Sequence, residues 1–439
     1  MKNLFYVFLI NINISLIISY LKIPFKTFYS ESMYSTDKKR VNYIYISMNM
    51  GIPKQNLNKI ILKQENYPFF LYDNCSYSYK NSQKSKIIQE ELADKSSSNC
   101  KKGIYLMDSM HLGENTVDNT SFVFCTKYNM YQTEEYKNFD GEIGLNMGFD
   151  DKYDSNFIRQ LKANNAISNY FYSIIYENDD EGFLLIGEYP HNIDIINNNI
   201  YNKYSTFKKE NLNWLHAVKN DKKPRWGITF EKISYSNSEL FQIQRECIFS
   251  VENKFIFSSF QYFNLIKEIF GKKCKQYQFF HYFDFLECEK DIVKEFTPEI
   301  KFYSKDLNMS FTLDYNDLFI EKEDSLLFLV VTYTDMDEGY WILGKPFLKK
   351  YLFLFDIDTK MIGFYVNDIS KVGNNEINNA KKSSFNLSIF INILLLCILL
   401  ILIFIFYRYY MNRRRIRANE LEDKFNYIAQ NDKDIKEFQ

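Results

Sequence analysis

Carboxylates at the ends of apolar runs are the side chains of this sequence that could perform acid–base chemistry. Asp73, Asp140 and Asp356 each lie beside a run of large apolar residues, and Glu252 follows the run Cys247-Ile248-Phe249. Two carboxyls held close together share one proton, so that one activates water while the other stays protonated. Taken singly, each aspartate is more simply a turn or cap residue. Catalysis therefore requires a fold that brings two such groups together.

Composition gives little support to other reaction types. The 439 residues carry a net charge of −1, which argues against a nucleic-acid partner. The 4 histidines are scattered along the chain, so a Ser-His triad or a histidine metal site is not expected. The cysteines lack the CxxC spacing of zinc sites. We predict no metal and no cofactor.

Two related apolar elements, one in each half of the chain, organise the sequence. The stronger is Tyr340-Trp341-Ile342-Leu343-Gly344, followed by Phe353-Leu354-Phe355-Asp356 and a hairpin turn at Asp358-Thr359-Lys360. The weaker copy is Phe139-Asp140-Gly141-Glu142-Ile143-Gly144-Leu145. Glycine in such a run marks a place where backbone comes close to another strand. The repetition predicts two similar β-rich lobes.

These elements resemble those of the pepsin-like aspartic protease family, nearest to its membrane-anchored plasmepsin V branch. The turn Gly51-Ile52-Pro53-Lys54-Gln55 resembles the Gly-Thr-Pro-x-Gln turn of the family, and Trp341-Ile342-Leu343-Gly344 resembles its closing element. The resemblance covers roughly residues 41–367. It implies an all-β, bilobal, pepsin-like double β-barrel ectodomain with short helices.

Both catalytic Asp-Thr-Gly motifs that the resemblance implies are degraded. Counting without a gap from Gln55 puts Leu62-Lys63-Gln64 at the first motif. Counting back from a strand and helix predicted at 255–266 puts Ser250-Val251-Glu252-Asn253 at the second. Leucine and serine cannot supply carboxyls that share a proton. We therefore predict no catalytic residues, and instead a groove for a peptide or protein partner near Lys63, Gln64, Val251 and Asn253.

The flap hairpin of the family also differs. Its tyrosine leans over the substrate, whereas Ile87 to Ser98 contains no aromatic residue, and we predict that the lid is lost. Two alternatives to a non-catalytic binding protein stay open. The first is a divergent, active aspartic-type endopeptidase of the secretory pathway that uses Asp73 and Glu252. The second is a surface adhesion or scaffold protein.

Seven cysteines divide into groups of three, three and one. Because a chain behind a signal peptide folds in an oxidising compartment, disulfides are expected. We predict a Cys274–Cys288 bridge and one bridge among Cys75, Cys100 and Cys125. The cysteines left over either form a Cys75–Cys247 link or stay free.

The ends of the chain predict a single-pass type I membrane protein. Residues 1–21 are typical of a signal peptide, and the uncharged run 387–407 is long enough to cross a bilayer. The arginines that follow place the tail, 408–439, in the cytosol, with the ectodomain in the secretory lumen or outside the cell. Between them we predict a polar, unstructured lead-in at 21–40, an N-terminal lobe at 41–190, a linker at 191–203, a C-terminal lobe at 204–367 and a polar stalk at 368–386.

Overall fold

The computed structural model describes residues 20–29, 42–64, 69–93, 100–128, 138–147, 156–193, 208–218, 225–235, 238–241, 244–279, 283–292, 298–333, 340–365, 407, 408, 410 and 413. The predicted stalk and most of the predicted signal peptide, linker, membrane span and tail lie outside these residues. Within them, no helix is both long and apolar enough to cross a membrane. The chain divides into two compact units, residues 1–372 and 373–439, and every strand among the described residues belongs to the first.

The described chain is mostly β-structure with short helices. The strands of the first half are β1 (Leu21–Tyr29), β2 (Asn42–Met50), β3 (Gln55–Lys63), β4 (Phe70–Tyr72), β5 (Lys86–Ala93), β6 (Cys100–Leu112), β7 (Asn115–Tyr128), β8 (Gly141–Gly144), β9 (Phe171–Tyr176) and β10 (Glu181–Ile186). Those of the second half are β11 (Leu212–His216), β12 (Gly227–Phe230), β13 (Lys232–Tyr235), β14 (Ser238–Phe241), β15 (Arg245–Phe249), β16 (Ile256–Phe257), β17 (Cys274–Phe279), β18 (Phe283–Cys288), β19 (Ile300–Ser304), β20 (Met309–Leu313), β21 (Phe319–Glu321), β22 (Leu326–Phe328), β23 (Val330–Tyr333), β24 (Tyr340–Leu343), β25 (Phe353–Asp356) and β26 (Met361–Tyr365). The helices are α1 (Phe157–Ala163), α2 (Phe260–Phe270), α3 (Tyr315–Leu318) and α4 (Lys345–Lys350).

The strands form three sheets. A 13-stranded sheet has the order β11-β26-β25-β9-β10-β1-β2-β3-β8-β4-β7-β6-β5. A 9-stranded sheet runs β12-β15-β24-β16-β23-β18-β22-β21, with β17 paired to β18, and a 4-stranded sheet runs β14-β13-β19-β20. Strands β11, β25 and β26 come from the second half of the sequence but complete the sheet of the first half. The two halves are therefore joined by backbone hydrogen bonds as well as by side-chain packing.

One four-strand arrangement occurs in both halves. Strand β3 pairs in parallel with β8, β8 pairs antiparallel with β4, and β4 pairs in parallel with β7. In the second half β15, β24, β16 and β23 repeat this sequence of parallel, antiparallel and parallel pairings. The predicted repetition of an apolar, glycine-containing element is thus confirmed as a repetition of strand pairing.

Close backbone approach explains the glycines of these repeated elements. A Cβ atom on Gly344 would lie closer than 3.0 Å to the backbone oxygens of Asn253 and Phe255, and one on Gly141 would lie as close to the oxygen of Phe70. Real Cβ atoms do not make such contacts, so any other residue would push the strands apart. The predicted hairpin after Gly344 is also present, since β25 and β26 pair antiparallel across the turn at Lys360.

The predicted unstructured lead-in is wrong for Leu21–Tyr29, which forms strand β1 between β10 and β2. Its residues alternate strictly, with Leu21, Ile23 and Phe25 buried and the intervening residues exposed. That period of two is the pattern of a half-buried strand. Pro24 is tolerated because pairing with β2 begins only at Phe25. The first lobe therefore includes residues well before position 41.

The strand and helix predicted at 255–266 are confirmed as β16 and α2. Ser259 caps the helix, since its side chain accepts a hydrogen bond from the backbone N–H of Tyr262. Gly271 ends it at a positive φ of 54°, a conformation that favours glycine. These local signals fix the position of the segment that precedes them, residues 250–254, at the end of β15.

Candidate functional site

The repeated arrangement brings the ends of β3 and β15 to corresponding places in the two halves. In the first half Lys63 lies level with Gly144 on the neighbouring strand. In the second half Phe249 lies level with Leu343, so Ser250 comes level with Gly344. Strand pairing thus makes Lys63 the counterpart of Ser250, one residue after the Leu62 reached by counting along the sequence. Neither Leu62 nor Lys63 supplies a carboxyl.

The first motif position is occupied by an apolar side chain and an ammonium group. Leu62 is 0% exposed and belongs to the main hydrophobic core, together with Ile143 and Leu145. The carbonyl oxygen of Lys63 accepts a hydrogen bond from the N–H of Leu145 at 2.7 Å. The carbonyl oxygen of Gln64 accepts one from Nδ2 of Asn146 at 3.3 Å. This segment is held in place by its backbone, and its side chains offer no proton-sharing acid.

A buried ion pair is the main polar feature of the first half of the site. Nζ of Lys63 lies 2.8 Å from Oε2 of Glu142, and the two side chains are only 6% and 1% exposed. The pairing is possible because β3 and β8 are parallel neighbours with Ile61 level with Glu142. Burying one of these charges without the other would cost on the order of several kcal/mol. Each charge is therefore stable in this buried position only with its partner.

The second motif position carries a hydroxyl group. The N–H of Ser250 donates to the carbonyl of Leu343 at 3.1 Å, and its Oγ accepts a hydrogen bond from Nδ2 of Asn253 at 2.7 Å. Val251 is 0% exposed in the main core. The carbonyl of Asn253 accepts a hydrogen bond from the N–H of Lys345 at 2.8 Å. A serine hydroxyl ionises far above neutral pH, so it cannot act as the acid or base of an aspartic protease.

Glu252 connects the two halves directly. Its Oε2 accepts a hydrogen bond from the backbone N–H of Gln64 at 3.2 Å, across a separation of 188 residues in sequence. Loss of hydration raises the pKa of Glu252 above its usual range, whereas the hydrogen bonds from Gln64 and Ser250 and the charge of Lys63 lower it. We call Lys63, Gln64, Glu142, Ser250 and Glu252 the junction cluster.

Two buried aromatic side chains, Tyr172 on β9 and Trp226 before β12, share one hydrogen-bond acceptor near the junction cluster. Tyr172 and Trp226, from different halves, both donate to the carbonyl oxygen of Leu145, at 2.7 Å and 3.0 Å. Burial raises the pKa of Tyr172 well above its usual range, and the nearby charge of Glu252 raises it further. Tyr172 therefore stays protonated and serves as a hydrogen-bond donor.

The remaining candidate carboxylates are not part of the junction cluster. Asp140 and Asp356 have structural roles, and Asp73 lies in an exposed turn. Asp140 accepts hydrogen bonds from the backbone N–H groups of Asn58 and Lys59, at 2.7 Å and 3.0 Å. Asp356 caps the turn after β25 by accepting from the backbone N–H groups of two residues of that turn. Asp73, the fallback catalytic residue, lies in the exposed turn after β4, near the thiol of Cys75. The sequence signal for Asp140 and Asp356 was thus that of turn residues.

The cysteines form two bridges. Cys274 pairs with Cys288, as predicted, and Cys100 pairs with Cys125, which is the predicted bridge among the first three. Cys75 and Cys247 are free thiols rather than a link between lobes. Burial raises the pKa of the Cys75 thiol to about 11 and that of Cys247 well above its usual range. Both thiols are therefore protonated and unreactive at neutral pH.

The flap hairpin is present as a backbone feature. Strand β5 pairs antiparallel with β6, and the Cys100–Cys125 bridge ties the start of β6 to β7. The prediction that the lid is lost is therefore wrong for the hairpin itself, although its described side chains include no aromatic residue on β5. Residues 94–99, at its tip, lie outside the described part of the chain.

Comparison with known proteins bears on the family. A family model described as eukaryotic aspartyl protease matches residues 47–366, which is most of the chain. The chain belongs to the eukaryotic aspartyl protease family. Plasmepsin IV of Plasmodium falciparum, isolate 3D7, is 24% identical over 351 residues, covering 77% of this chain and 69% of that protein. Plasmepsin IV from a second isolate of the same organism is equally similar.

Membership of the aspartyl protease family agrees with the mostly β architecture and its duplicated strand motif. The two halves, each with one copy of that motif, are consistent with the pepsin-like bilobal fold. The expected likeness to the plasmepsin V branch stays a prediction. At the two predicted motif positions the chain has Leu62 with Lys63 in the first half and Ser250 in the second.

Sequence reasoning missed one functional side chain, Glu142, which it treated only as part of an apolar element. A signal was present. Lys63 ends the apolar run Ile60-Ile61-Leu62, and Glu142 interrupts the apolar element of the first half. Single opposite charges in two buried apolar runs should pair with each other. The sequence alone does not show that β3 and β8 are neighbours in the sheet, and the pair could not be predicted without that information.

Proposed function

We propose that this chain is a catalytically inactive member of the aspartyl protease family that binds a peptide or protein partner in the groove between its two halves. The observation that carries the proposal is the content of the two motif positions. Leu62 is buried in the core beside Lys63, and Ser250 presents a hydroxyl already bonded to Asn253. An aspartic protease needs two carboxyls that share a proton at these positions.

The junction cluster supports inactivity for a second reason. Lys63 is paired with Glu142, and its positive charge also acts on Glu252. Glu142 is thus paired with a lysine and not with a second carboxyl, whereas a catalytic dyad requires two carboxyls that share one proton. General acid–base catalysis contributes roughly 10²–10⁴-fold to a rate, and this cluster lacks the paired acids that supply it.

A retained framework supports binding. The β5–β6 hairpin is formed, at the place where the resemblance puts the flap that covers the groove in this family. Strand β5 is the terminal strand of its sheet, and Ile87 and Ile88 on it are 48% and 41% exposed. An exposed strand edge can pair with the backbone of an extended peptide, while neighbouring apolar side chains add affinity.

The proposal includes a location in the secretory pathway, in a single-pass membrane protein of the plasmepsin V type. Two disulfides in the described chain fit an oxidising compartment. The uncharged run 387–407 with arginines directly after it supports a membrane anchor with a cytosolic tail.

Glu252 gives one specific reason to test an active alternative. Its raised pKa is a property of general acids, and a second carboxyl, Glu142, is paired with the same Lys63 whose charge acts on Glu252. In that alternative, Glu252 acts with Glu142 or with Asp73 as a divergent catalytic pair. Conservative variants of these three carboxylates distinguish the two functions.

The test uses the purified full chain and a broad peptide library between about pH 3 and pH 7. We expect no cleavage and no binding of pepstatin, with an active aspartic protease as the positive control. Cleavage that disappears in Glu252→Gln, Glu142→Gln or Asp73→Ala would establish the active alternative. For the binding half of the proposal, hydrogen exchange should map a bound extended peptide to residues 62–64 and 250–253; protection confined to outer faces would favour an adhesive or scaffold role.

A further inference from the structure

A hydrogen bond between Gln64 and Glu252 joins the ends of β3 and β15 across the two halves. The backbone N–H of Gln64, at the end of β3, donates to Oε2 of Glu252, which follows β15. Separation of the halves at this place must break that bond and expose the Glu252 carboxyl to water. The state of this carboxyl is therefore coupled to closure of the junction.

The groups around Glu252 come from four places in the fold. The end of β3 contributes the N–H of Gln64 and the charge of Lys63, and its own segment contributes the hydroxyl of Ser250. Strand β9 contributes the phenol of Tyr172. Strand β8 contributes Glu142, whose carboxylate holds the ammonium of Lys63 at 2.8 Å. Because Glu142 already neutralises Lys63, that lysine offsets only part of the cost of burying a second carboxylate.

We propose that Glu252 acts as a proton-operated latch between the two halves. The halves close when the Glu252 carboxyl is protonated, and they loosen when it ionises. The half-buried position of the group and its hydrogen bond across the junction carry this inference, and the direction of its pKa agrees with it. A protonated carboxyl still accepts the Gln64 N–H at one oxygen. Its own O–H can donate to Oγ of Ser250, which has a lone pair left after accepting from Asn253.

The sign of the pH dependence follows from linkage. In the closed state loss of hydration raises the pKa of Glu252, whereas in the loosened state water returns and the pKa is ordinary. The closed state thus holds the proton more tightly, and lowering the pH through the raised pKa favours closure. One coupled proton changes the ratio of closed to loosened molecules by at most about tenfold per pH unit.

The latch is a property of the free chain. Its consequence for a bound ligand rests on the proposed binding function: at low pH the floor of the groove would be closed in a larger fraction of molecules. If hydrogen exchange shows the pH-dependent latch but no peptide binds, the binding function fails and the latch stands.

The experiment measures hydrogen exchange at the Gln64 amide of the full chain between about pH 5 and pH 8. Each rate is divided by the rate of the same amide in the unfolded chain, so that the intrinsic pH dependence of exchange is removed. We expect the protection of this amide to rise by up to about tenfold for each unit by which the pH falls through the Glu252 transition. Glu252→Gln mimics the protonated state and should give protection that does not change with pH. Glu268→Gln, at an exposed position on α2, is the matched control and should behave as the native chain.

A second variant, Ser250→Ala, tests the same proposal if Glu252→Gln folds poorly. The hydroxyl of Ser250 stabilises the ionised carboxylate, so Ser250→Ala should move the transition to higher pH. Protection that is independent of pH in the native chain, or that keeps its pH dependence in Glu252→Gln, would overturn the latch. An unmoved transition in Ser250→Ala would do the same.

Discussion

Replacing Lys63 by methionine is expected to destabilise the fold much more than removal of a surface charge. The attraction between Lys63 and Glu142 at 2.8 Å is about 6 kcal/mol at an effective dielectric constant of about 20. The cost of removing both charges from water offsets most of it, so the intact pair contributes little net stability. The single variant, however, leaves Glu142 buried at 1% exposure without its cation. We expect a loss of about 3–5 kcal/mol in the free energy of unfolding.

The assay is a double-mutant cycle followed by urea unfolding of the full chain. Glu142→Leu alone should be as harmful as Lys63→Met, whereas Lys63→Met/Glu142→Leu should be near neutral or more stable by about 1–4 kcal/mol. The matched control is the exposed pair Lys290–Glu321, at 3.0 Å, where Lys290→Met should cost less than about 1 kcal/mol. If Lys63→Met costs no more than Lys290→Met, or if the double variant loses the sum of the two singles, the buried pair does not exist as described.

Four further predictions concern the framework. Gly344→Ala should lower the free energy of unfolding by more than about 3 kcal/mol, because its Cβ would meet two backbone oxygens. Gly113→Ala, with open space around it but a φ of +61°, should lower it by only about 1–2 kcal/mol. Urea unfolding compares the two variants. Leu62→Ala should cost about 2–5 kcal/mol as a core truncation, and a value under 1 kcal/mol, roughly, would mean that this side chain faces the groove. Phe25→Ala should cost about 3–5 kcal/mol, and a negligible effect would show that the strand β1 is not part of the folded lobe. Burial lowers the pKa of Lys345 to about 8, so stability should rise with pH from about 8 to about 10.5, and Lys345→Met should abolish that rise.

Local chemistry made much of the framework predictable from the sequence. The elements at 139–145 and 340–344 combine large apolar residues with a glycine, and both became central strands in a duplicated arrangement. The segment 255–266 carried a helix cap in Ser259 and was predicted correctly. Strand β1 was missed because its lysines and proline suggested a polar segment, although its alternating pattern pointed to a strand.

The polar contacts of the site could not be predicted in the same way. The Lys63–Glu142 pair depends on β3 and β8 being parallel neighbours, and the Gln64–Glu252 contact joins residues 188 positions apart. Such contacts depend on the topology of the sheets, which no short window of sequence contains. The choice between Leu62 and Lys63 as the first motif position likewise depends on strand register, where a shift of one residue moves every side chain to the other face.

The most direct test of the central claim restores both Asp-Thr-Gly motifs and measures peptide cleavage in acid. In the register that strand pairing gives, the variant carries Lys63→Asp, Gln64→Thr and Glu65→Gly in the first half and Ser250→Asp, Val251→Thr and Glu252→Gly in the second. It also carries Glu142→Leu, because removal of Lys63 would leave that carboxylate buried without its cation. It is compared with the native full chain on one peptide library. We predict no cleavage by the native chain and pepstatin-sensitive cleavage by a folded restored variant. Pepstatin-sensitive cleavage by the native chain itself would contradict the account.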